Sequence, residues 1–499
     1  MAPGIWVWLG ICAWLISGAV SIYSSLRIFG APGRQRLKGF LATAPYVFAF
    51  GFLVAVATWD SLIVKVGAFD LTDPSVASPG TFAGYFQQTV RSAGHPATVL
   101  LYAVAFAILA AFFAARVGIN RSSMNLFYRA RLARAYLKES LRGASSSLSS
   151  PELDERPLDS LTLLQDYVPE QGYVGPLPIL NATLNLTRSG DLFHQERKAA
   201  TFVFTPIVCG YHFDPVHAPE SLAAPDAPDG RKAPKLYDKA YARTAGYSYN
   251  DSAGVTLAQA MSISGSALAP SMGYLTTAQR RLTHTLFNVR LGWWLANPRY
   301  AGAWNSTIPR QRVRMLLCEC FGRTDDESAY VHLSDGGHFE NLGLYELVRR
   351  RCKLIIVSDA SVDQAGVLDS LARSIEKCRL DLNATIELEV SQILADESGF
   401  SRSGFVTGAV VYEDGSAGTL VYLRATLVAG LPHDVTSRRT SDGVFPNHPT
   451  TNQWFGESLF EAYRELGFQI GKCFTDAVGT VSADGLISAC ERLRGAVEG

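Results

Sequence analysis

Three long apolar runs lie within the first 115 positions of the chain and constrain its fold most. They cover residues 5–29, 40–59 and 97–115, and the one charged residue among them is Arg27. Each run has about the 20 residues that an α-helix needs to cross a hydrocarbon core of roughly 30 Å. Three such runs in so short a stretch are untypical of ordinary core helices. The sequence therefore predicts a membrane domain over residues 1–118 with three transmembrane helices.

Basic residues beside these runs predict an orientation. The loop after the first run holds Arg34, Arg36 and Lys38, and the segment after the third run holds Arg116 and Arg121. Basic loops stay on the cytoplasmic side of a membrane according to the positive-inside rule. We therefore expect an integral membrane protein whose large C-terminal region is cytoplasmic.

Residues 119–145 are expected to form a basic juxtamembrane helix. The part from 120 to 138 mixes apolar side chains such as Met124 and Phe127 with repeated arginines. This mixture suits an amphipathic helix that lies along an anionic membrane surface. An ordinary basic flank of a membrane span explains the same residues equally well.

Charge and cysteine usage narrow the possible ligands. The chain has 45 Lys and Arg against 45 Asp and Glu, and this balance disfavours a nucleic-acid partner. Its 8 cysteines are scattered and include no C-x-x-C pair, which is the usual start of a zinc site. We therefore predict no metal site.

The region from 146 to 499 alternates strand-like with helical patterns. Such alternation predicts an α/β domain whose sheet is covered by helices on both faces. The predicted strands cover 179–186, 201–208, 331–333, 354–357, 405–412 and 420–426. The predicted helices cover 255–268, 277–291, 342–351, 368–378 and 457–466.

The most informative motif is SDGGHFENLG at residues 334–343. It places Asp335 at the end of a short strand, followed directly by Gly336 and Gly337. Glycines allow a sharp turn and a close approach of the backbone to a ligand, and a carboxylate at such a turn can act as a general base. Acid-glycine pairs are also common in ordinary turns, so the motif alone leaves both interpretations open.

A longer run of sequence carries a family resemblance. Residues 334–357, SDGGHFENLGLYELVRRRCKLIIV, resemble the aspartate segment of the patatin-like phospholipases, in particular their large bacterial membrane-anchored branch. The segments 175–186, 195–206, 258–274 and 286–299 are similar to that branch too.

The resemblance implies a Ser-Asp dyad in which Asp335 is the base and Gly336 and Gly337 support the turn and the oxyanion. It implies hydrolysis of lipid esters, membrane lipids as substrates, no cofactor, and a bacterial inner-membrane location.

A recognisable nucleophile segment is missing. Patatin-like hydrolases carry their serine in G-x-S-x-G on a strand-to-helix turn, and this motif does not occur in the chain. In the resembling branch the serine segment precedes the membrane spans. We therefore expect a shortened chain, a separate second chain that carries the G-x-S-x-G half, or a degenerate member without activity.

Ser264 and Ser266 are the nucleophile candidates within the chain. Ser264-Gly265-Ser266 is similar to the elbow of some lipases and lies upstream of Asp335, as the order of the dyad requires. The segment falls in a helical pattern, however, where small residues serve close packing. Both interpretations stay open.

These observations lead to two hypotheses. The first is a membrane-anchored lipid acyl hydrolase with Asp335 as the base and the nucleophile absent from this chain. The second is a non-catalytic membrane-anchored module that binds lipid or a partner protein. Trp293 and Trp294 line an acyl cleft or meet the membrane interface in the first hypothesis, although paired aromatic residues are more often core.

Overall fold

Two units make up the chain in the computed structural model, the first over Met1–Asp335 and the second over Gly336–Gly499. The structure describes residues 104, 118–120, 122–137, 163–189, 196–211, 241–249, 252–300, 309, 312–363, 365–449, 456–479 and 482–498.

Antiparallel strands dominate the first unit. The strands are β1 (Leu180–Asn185), β2 (Ala199–Phe204), β3 (Val208–Gly210), β4 (Tyr241–Arg243), β5 (Ser248–Tyr249), β6 (Ser252–Ala253), β7 (Trp293–Ala296) and β8 (Tyr330–Asp335). Six of them form one curled sheet in the order β4-β3-β2-β1-β8-β7, while β5 and β6 pair with each other. Every neighbouring pair in the larger sheet is antiparallel.

Two helices of the first unit begin at a threonine cap. The described helices of this unit are α1 (Asn125–Leu132), which continues as a π-helical turn over Ala133–Leu137, α2 (Leu257–Ser264), α3 (Ala278–Leu286) and α4 (Arg312–Phe321). The Thr256 hydroxyl accepts the Gln259 N–H, and the Thr277 hydroxyl accepts the Arg280 N–H. A threonine in this position satisfies one of the free N–H groups of the first turn.

Side chains alternate across the larger sheet and give it two different buried faces. In β8, Val331 and Leu333 join the apolar core together with Ile263 of α2. Successive side chains of a strand alternate, so His332 and Ser334 of the same strand point to the opposite face. Both residues are fully buried. One face of the sheet therefore packs in the apolar core, and the other face, which we call the polar face, buries His332 and Ser334 of β8.

The second unit contains a mixed sheet. Its elements are α5 (Leu344–Arg349), β9 (Leu354–Asp359), α6 (Asp369–Leu382), β10 (Thr385–Leu388), β11 (Phe405–Val411), β12 (Ala417–Arg424), α7 (His433–Ser441), α8 (Glu457–Val478) and α9 (Ala483–Glu498). The strand order is β10-β11-β12-β9. The pair of β9 and β12 is parallel, and the other two pairs are antiparallel.

The structure confirms several local predictions and corrects the way in which the strands assemble. The strands predicted at 179–186 and 354–357 are β1 and β9, and the helices predicted at 255–268 and 368–378 are α2 and α6. The strands expected in one covered sheet instead lie in two separate sheets. The predicted α/β class is confirmed, whereas the prediction of a single sheet is wrong. A local strand pattern does not specify which other strand it pairs with.

The membrane part of the predicted fold needs correction. The three predicted spans lie outside the described residues, residue 104 excepted. Within the described ranges, no helix is both long enough and apolar enough to cross a bilayer. The longest of these helices, α8, has 22 residues but carries charges along its length, including Glu461, Arg464 and Lys472. The prediction of three transmembrane helices and of an integral-membrane location with a cytoplasmic C-terminal region is withdrawn on this finding.

Candidate functional site

Asp335 is the last residue of β8, and its backbone is held from two directions. It pairs with Ala182 of β1, and its N–H donates to the Ser266 carbonyl oxygen over 3.2 Å. The residue is half-buried. The alternation of the strand places its side chain on the same face as Leu333, which α2 covers. The fold thus fixes the Asp335 backbone and leaves part of the residue accessible.

Tyr128 of α1 lies beside Asp335. Burial raises the pKa of the Tyr128 phenol, and the nearby Asp335 carboxylate and then Tyr136 raise it further. The phenol therefore stays protonated at neutral pH. A Cβ built at Gly265 would lie only 2.5 Å from the Tyr128 Oη, so a glycine at this position makes room for the phenol. Sequence analysis did not identify Tyr128, because its contacts join segments more than a hundred residues apart.

Ser264 is the last residue of α2 and is half-buried. Its hydroxyl donates to the Asn181 carbonyl oxygen over 2.7 Å. Asn181 directly precedes Ala182, which pairs with Asp335. Ser264 therefore lies at the same end of the sheet as Asp335. It is reached along a helix, however, whereas a nucleophile elbow runs from a strand into a helix.

Ser266 occupies a different environment from Ser264. It is fully buried, and its hydroxyl lies 2.6 Å from the Ser262 carbonyl oxygen and 2.8 Å from the Leu291 carbonyl oxygen. The Asn125 side-chain amide donates to the Ser266 Oγ over 3.3 Å. These contacts join α1, α2 and the segment before β7. They favour the packing interpretation for Ser266.

Gly336 and Gly337 begin a 3-10 turn, Gly336–His338, that follows Asp335 directly in the chain. The Gly336 carbonyl oxygen accepts the N–H groups of Phe339 and Glu340 at 3.0 and 2.9 Å. This turn carries the chain out of β8 into the second unit. The two glycines are thus turn residues, and their proposed support of an oxyanion stays a prediction.

Glu340 caps the helix that follows the turn. Its carboxylate accepts the N–H of Leu342 at 2.6 Å, the N–H of Tyr345 at 3.3 Å and the Ser374 hydroxyl at 2.5 Å. A carboxylate at the start of a helix is stabilised by the free N–H groups there. In the part of the chain that the structure describes, no three His, Cys, Asp or Glu side chains are grouped so as to hold a metal ion.

A buried ionic network on the polar face of the first sheet was missed by the sequence analysis. Arg290 pairs with Glu319 of α4 at 3.0 Å, and both side chains are almost fully buried. The Trp294 indole N–H donates to the same carboxylate over 2.6 Å. Burial lowers the pKa of His332, whose Nε2 lies 3.8 Å from Glu319. Desolvation makes such groups costly unless they are paired, so this network is expected to fix the structure of the polar face.

The tryptophan pair belongs to the interior. Trp293 and Trp294 are 3% and 2% exposed in β7, and they point to opposite faces of the sheet. Trp293 packs in the apolar core, while Trp294 binds Glu319. The core interpretation of these two residues therefore fits the structure.

The chain matches no protein-family model. A search of curated proteins likewise finds no significant match. The patatin-like resemblance therefore stays a prediction.

Proposed function

We propose that the protein supplies Asp335 as the base of a patatin-like Ser-Asp hydrolase that cleaves lipid esters. The observation that carries the proposal is the position of Asp335, half-buried at the end of β8 with its backbone held by Ala182 and Ser266. A base must keep a fixed geometry toward the proton that it removes while its carboxylate stays accessible.

The reaction follows from the chemistry of a Ser-Asp pair. The Asp335 carboxylate takes the proton of a serine hydroxyl while the serine oxygen attacks the ester carbonyl carbon. The tetrahedral intermediate then expels the alcohol, which receives the proton, and leaves an acyl-serine. Water attacks the acyl group in the second half of the reaction, and Asp335 takes a proton from that water. Asp335 then gives this proton to the serine oxygen as the bond between serine and acyl group breaks and the fatty acid leaves. No metal or organic cofactor takes part in such a sequence.

The nucleophilic serine has two possible sources in this proposal. Ser264 lies at the same end of the sheet as Asp335, although its hydroxyl now donates to the Asn181 carbonyl oxygen. The other source is a G-x-S-x-G segment on a second chain.

One observation favours a second candidate function, a non-catalytic binding module. The Ser264 and Ser266 hydroxyls both lie within hydrogen-bond distance of backbone carbonyl oxygens. A hydroxyl held in this way is not directed toward a base.

The test uses the protein purified from its source cells, so that a partner chain is retained. Fatty-acid release from lysophospholipid and labelling by a serine-directed fluorophosphonate are measured for the wild type and for Asp335→Asn. We expect labelling of one serine and a loss of hydrolysis of about 10³-fold or more in the variant, because removing a base from such a pair has effects of that size. Labelling of Ser264 or of a partner chain identifies the nucleophile.

An absence of labelling and of fatty-acid release, or an unchanged rate in Asp335→Asn, would contradict the hydrolase. Lipid or protein binding without turnover would then favour the binding module. Thermal unfolding of both proteins is the control for folding.

A further inference from the structure

Helix α1 and its π-helical continuation present an exposed face that combines apolar and basic side chains. Met124 is 47% exposed and Phe127 is 64% exposed, and Arg131 and Arg134 are exposed on the same side. The spacing of three or four residues between them places all four side chains along one face of the helix. We call this the Phe127 face, defined by Met124, Phe127, Arg131 and Arg134.

The opposite face of the helix is anchored in the first unit. Asn125 is fully buried, donates to the Leu291 carbonyl oxygen over 2.7 Å and accepts the Ser262 hydroxyl over 3.2 Å. Arg129, one turn further on, is 5% exposed and lies over the Trp293 ring at 5.9 Å. Two polar residues are buried on this side, next to the buried Ala133 and Leu137 of the continuation, while phenylalanine and methionine face outward. This anchoring fixes the direction of the Phe127 face.

The charge of the segment is of one sign. Residues 118–138 contain arginines at 121, 129, 131 and 134 and a lysine at 138, but no Asp or Glu. The Arg131 guanidinium lies 5.4 Å from the centre of the Phe127 ring. At the surface of a bilayer, such a ring can contact the acyl chains while the guanidinium beside it contacts the lipid phosphates.

We propose that the Phe127 face docks on the surface of an anionic phospholipid bilayer. Phe127 and Met124 enter the boundary between the headgroups and the acyl chains, and Arg131 and Arg134 pair with lipid phosphates. The charge of the segment is complementary to an anionic surface, and each arginine near such a surface contributes independently to binding. This is a contact with one leaflet and needs no helix that crosses the bilayer.

The docking helix also carries Tyr128, which lies beside Asp335. The same helix therefore carries both the Phe127 face and the tyrosine beside Asp335. Binding to a bilayer requires no turnover, so the docking proposal does not rest on the proposed hydrolase.

The experiment is flotation of the intact protein with vesicles of phosphatidylcholine alone and with vesicles that also contain phosphatidylglycerol. We expect binding to the anionic vesicles that weakens at high salt. Replacing both arginines, Arg131→Gln with Arg134→Gln, is expected to weaken this binding about 25-fold, since each arginine contributes about fivefold. Phe127→Ser is expected to weaken binding by about tenfold through the loss of apolar burial.

The matched control is Arg379→Gln with Arg492→Gln, which removes two exposed arginines from the second unit and changes the net charge equally. It is expected to bind like the wild type. The proposal is overturned if the wild type binds both vesicle types equally or neither type, or if the control weakens binding as much as the Phe127-face variant does. A far-UV circular dichroism spectrum verifies that each variant is folded.

Discussion

Two strands, one in each unit, end in the same dipeptide and yet hold their aspartates differently. Strand β8 ends in Ser334-Asp335 and strand β9 in Ser358-Asp359. The Asp359 side chain is 1% exposed and pairs with Arg424 at 2.9 Å, while the Tyr422 hydroxyl donates to the same carboxylate. Asp335 is half-buried at a turn beside a protonated tyrosine.

The same local sequence has different surroundings at the two strand ends, and these surroundings favour different roles. A carboxylate that is buried against a guanidinium is neutralised and holds elements together. A carboxylate that keeps part of its surface accessible is available to a substrate or to a proton donor. We therefore expect Asp359 to stabilise the fold, and the proposed function gives Asp335 the role of a base; the following predictions test this difference.

The largest expected effect on stability comes from Asp359. Asp359→Asn leaves Arg424 buried with Asp363 as its remaining acidic neighbour, at 3.6 Å. Removing one partner of a buried pair costs about 3 kcal/mol or more of unfolding free energy. Urea unfolding measures the change. The control is Asp369→Asn, whose pair with Arg373 is exposed and is worth less than about 1 kcal/mol. Equal effects of the two variants would refute the structural role of Asp359.

A smaller effect is expected at the two serines near Asp335. Ser266→Ala removes a fully buried hydroxyl and leaves the amide of Asn125 with one acceptor fewer, which costs about 1–3 kcal/mol of unfolding free energy. Ser264→Ala changes a half-buried hydroxyl and is expected to cost less than about 1 kcal/mol. Urea unfolding of the two variants side by side checks the order, and a larger loss for Ser264→Ala would overturn it.

Acid is expected to weaken the first unit through its buried histidines. Burial lowers the pKa values of His332 and His284 in the folded protein. Below the ordinary histidine pKa of about 6.5, the unfolded chain binds protons that these folded residues do not bind. The unfolding free energy therefore falls as the pH decreases below about 6.5, by about 1.4 kcal/mol per pH unit for each proton.

Urea unfolding at several pH values measures this slope. We expect His332→Gln to reduce it by about one proton. The control His433→Gln replaces an exposed residue of α7 and is expected to keep the slope of the wild type. A wild-type stability that is independent of pH between neutral and mildly acidic conditions would contradict this prediction.

The comparison of the two aspartates also marks the limit of what the sequence predicts. Apolar strand runs and helical spacing located β8, β9 and the helix after each of them, because local patterns determine local structure. Asp359 differs from Asp335 because it pairs with the guanidinium of Arg424. Arg424 is distant in the sequence and lies beside Asp359 because β9 pairs in parallel with β12. Tyr128 reaches Asp335 in the same long-range way. Such partners depend on strand pairing, which no local pattern specifies.

The apolar runs at the start of the chain mark a second limit. Length and lack of charge predicted three membrane spans, whereas none of the helices in the described ranges can cross a bilayer. By contrast, the burial of Asn125 and the exposure of Phe127 in α1 were not visible in the sequence, because composition does not indicate which face of a helix is packed.

The most direct measurement compares the Asp335→Asn and Asp359→Asn variants, each purified from the source cells in the same way. Fatty-acid release and urea unfolding are determined for both variants and for the wild type. The account predicts that Asp335→Asn lowers hydrolysis about 10³-fold or more while its unfolding free energy stays within about 0.5 kcal/mol of the wild type. It predicts that Asp359→Asn loses about 3 kcal/mol of stability and, under conditions where it is folded, keeps hydrolysis near the wild-type rate. An Asp335→Asn protein that is as active as the wild type, or one that is inactive because it is unfolded, would contradict the assignment.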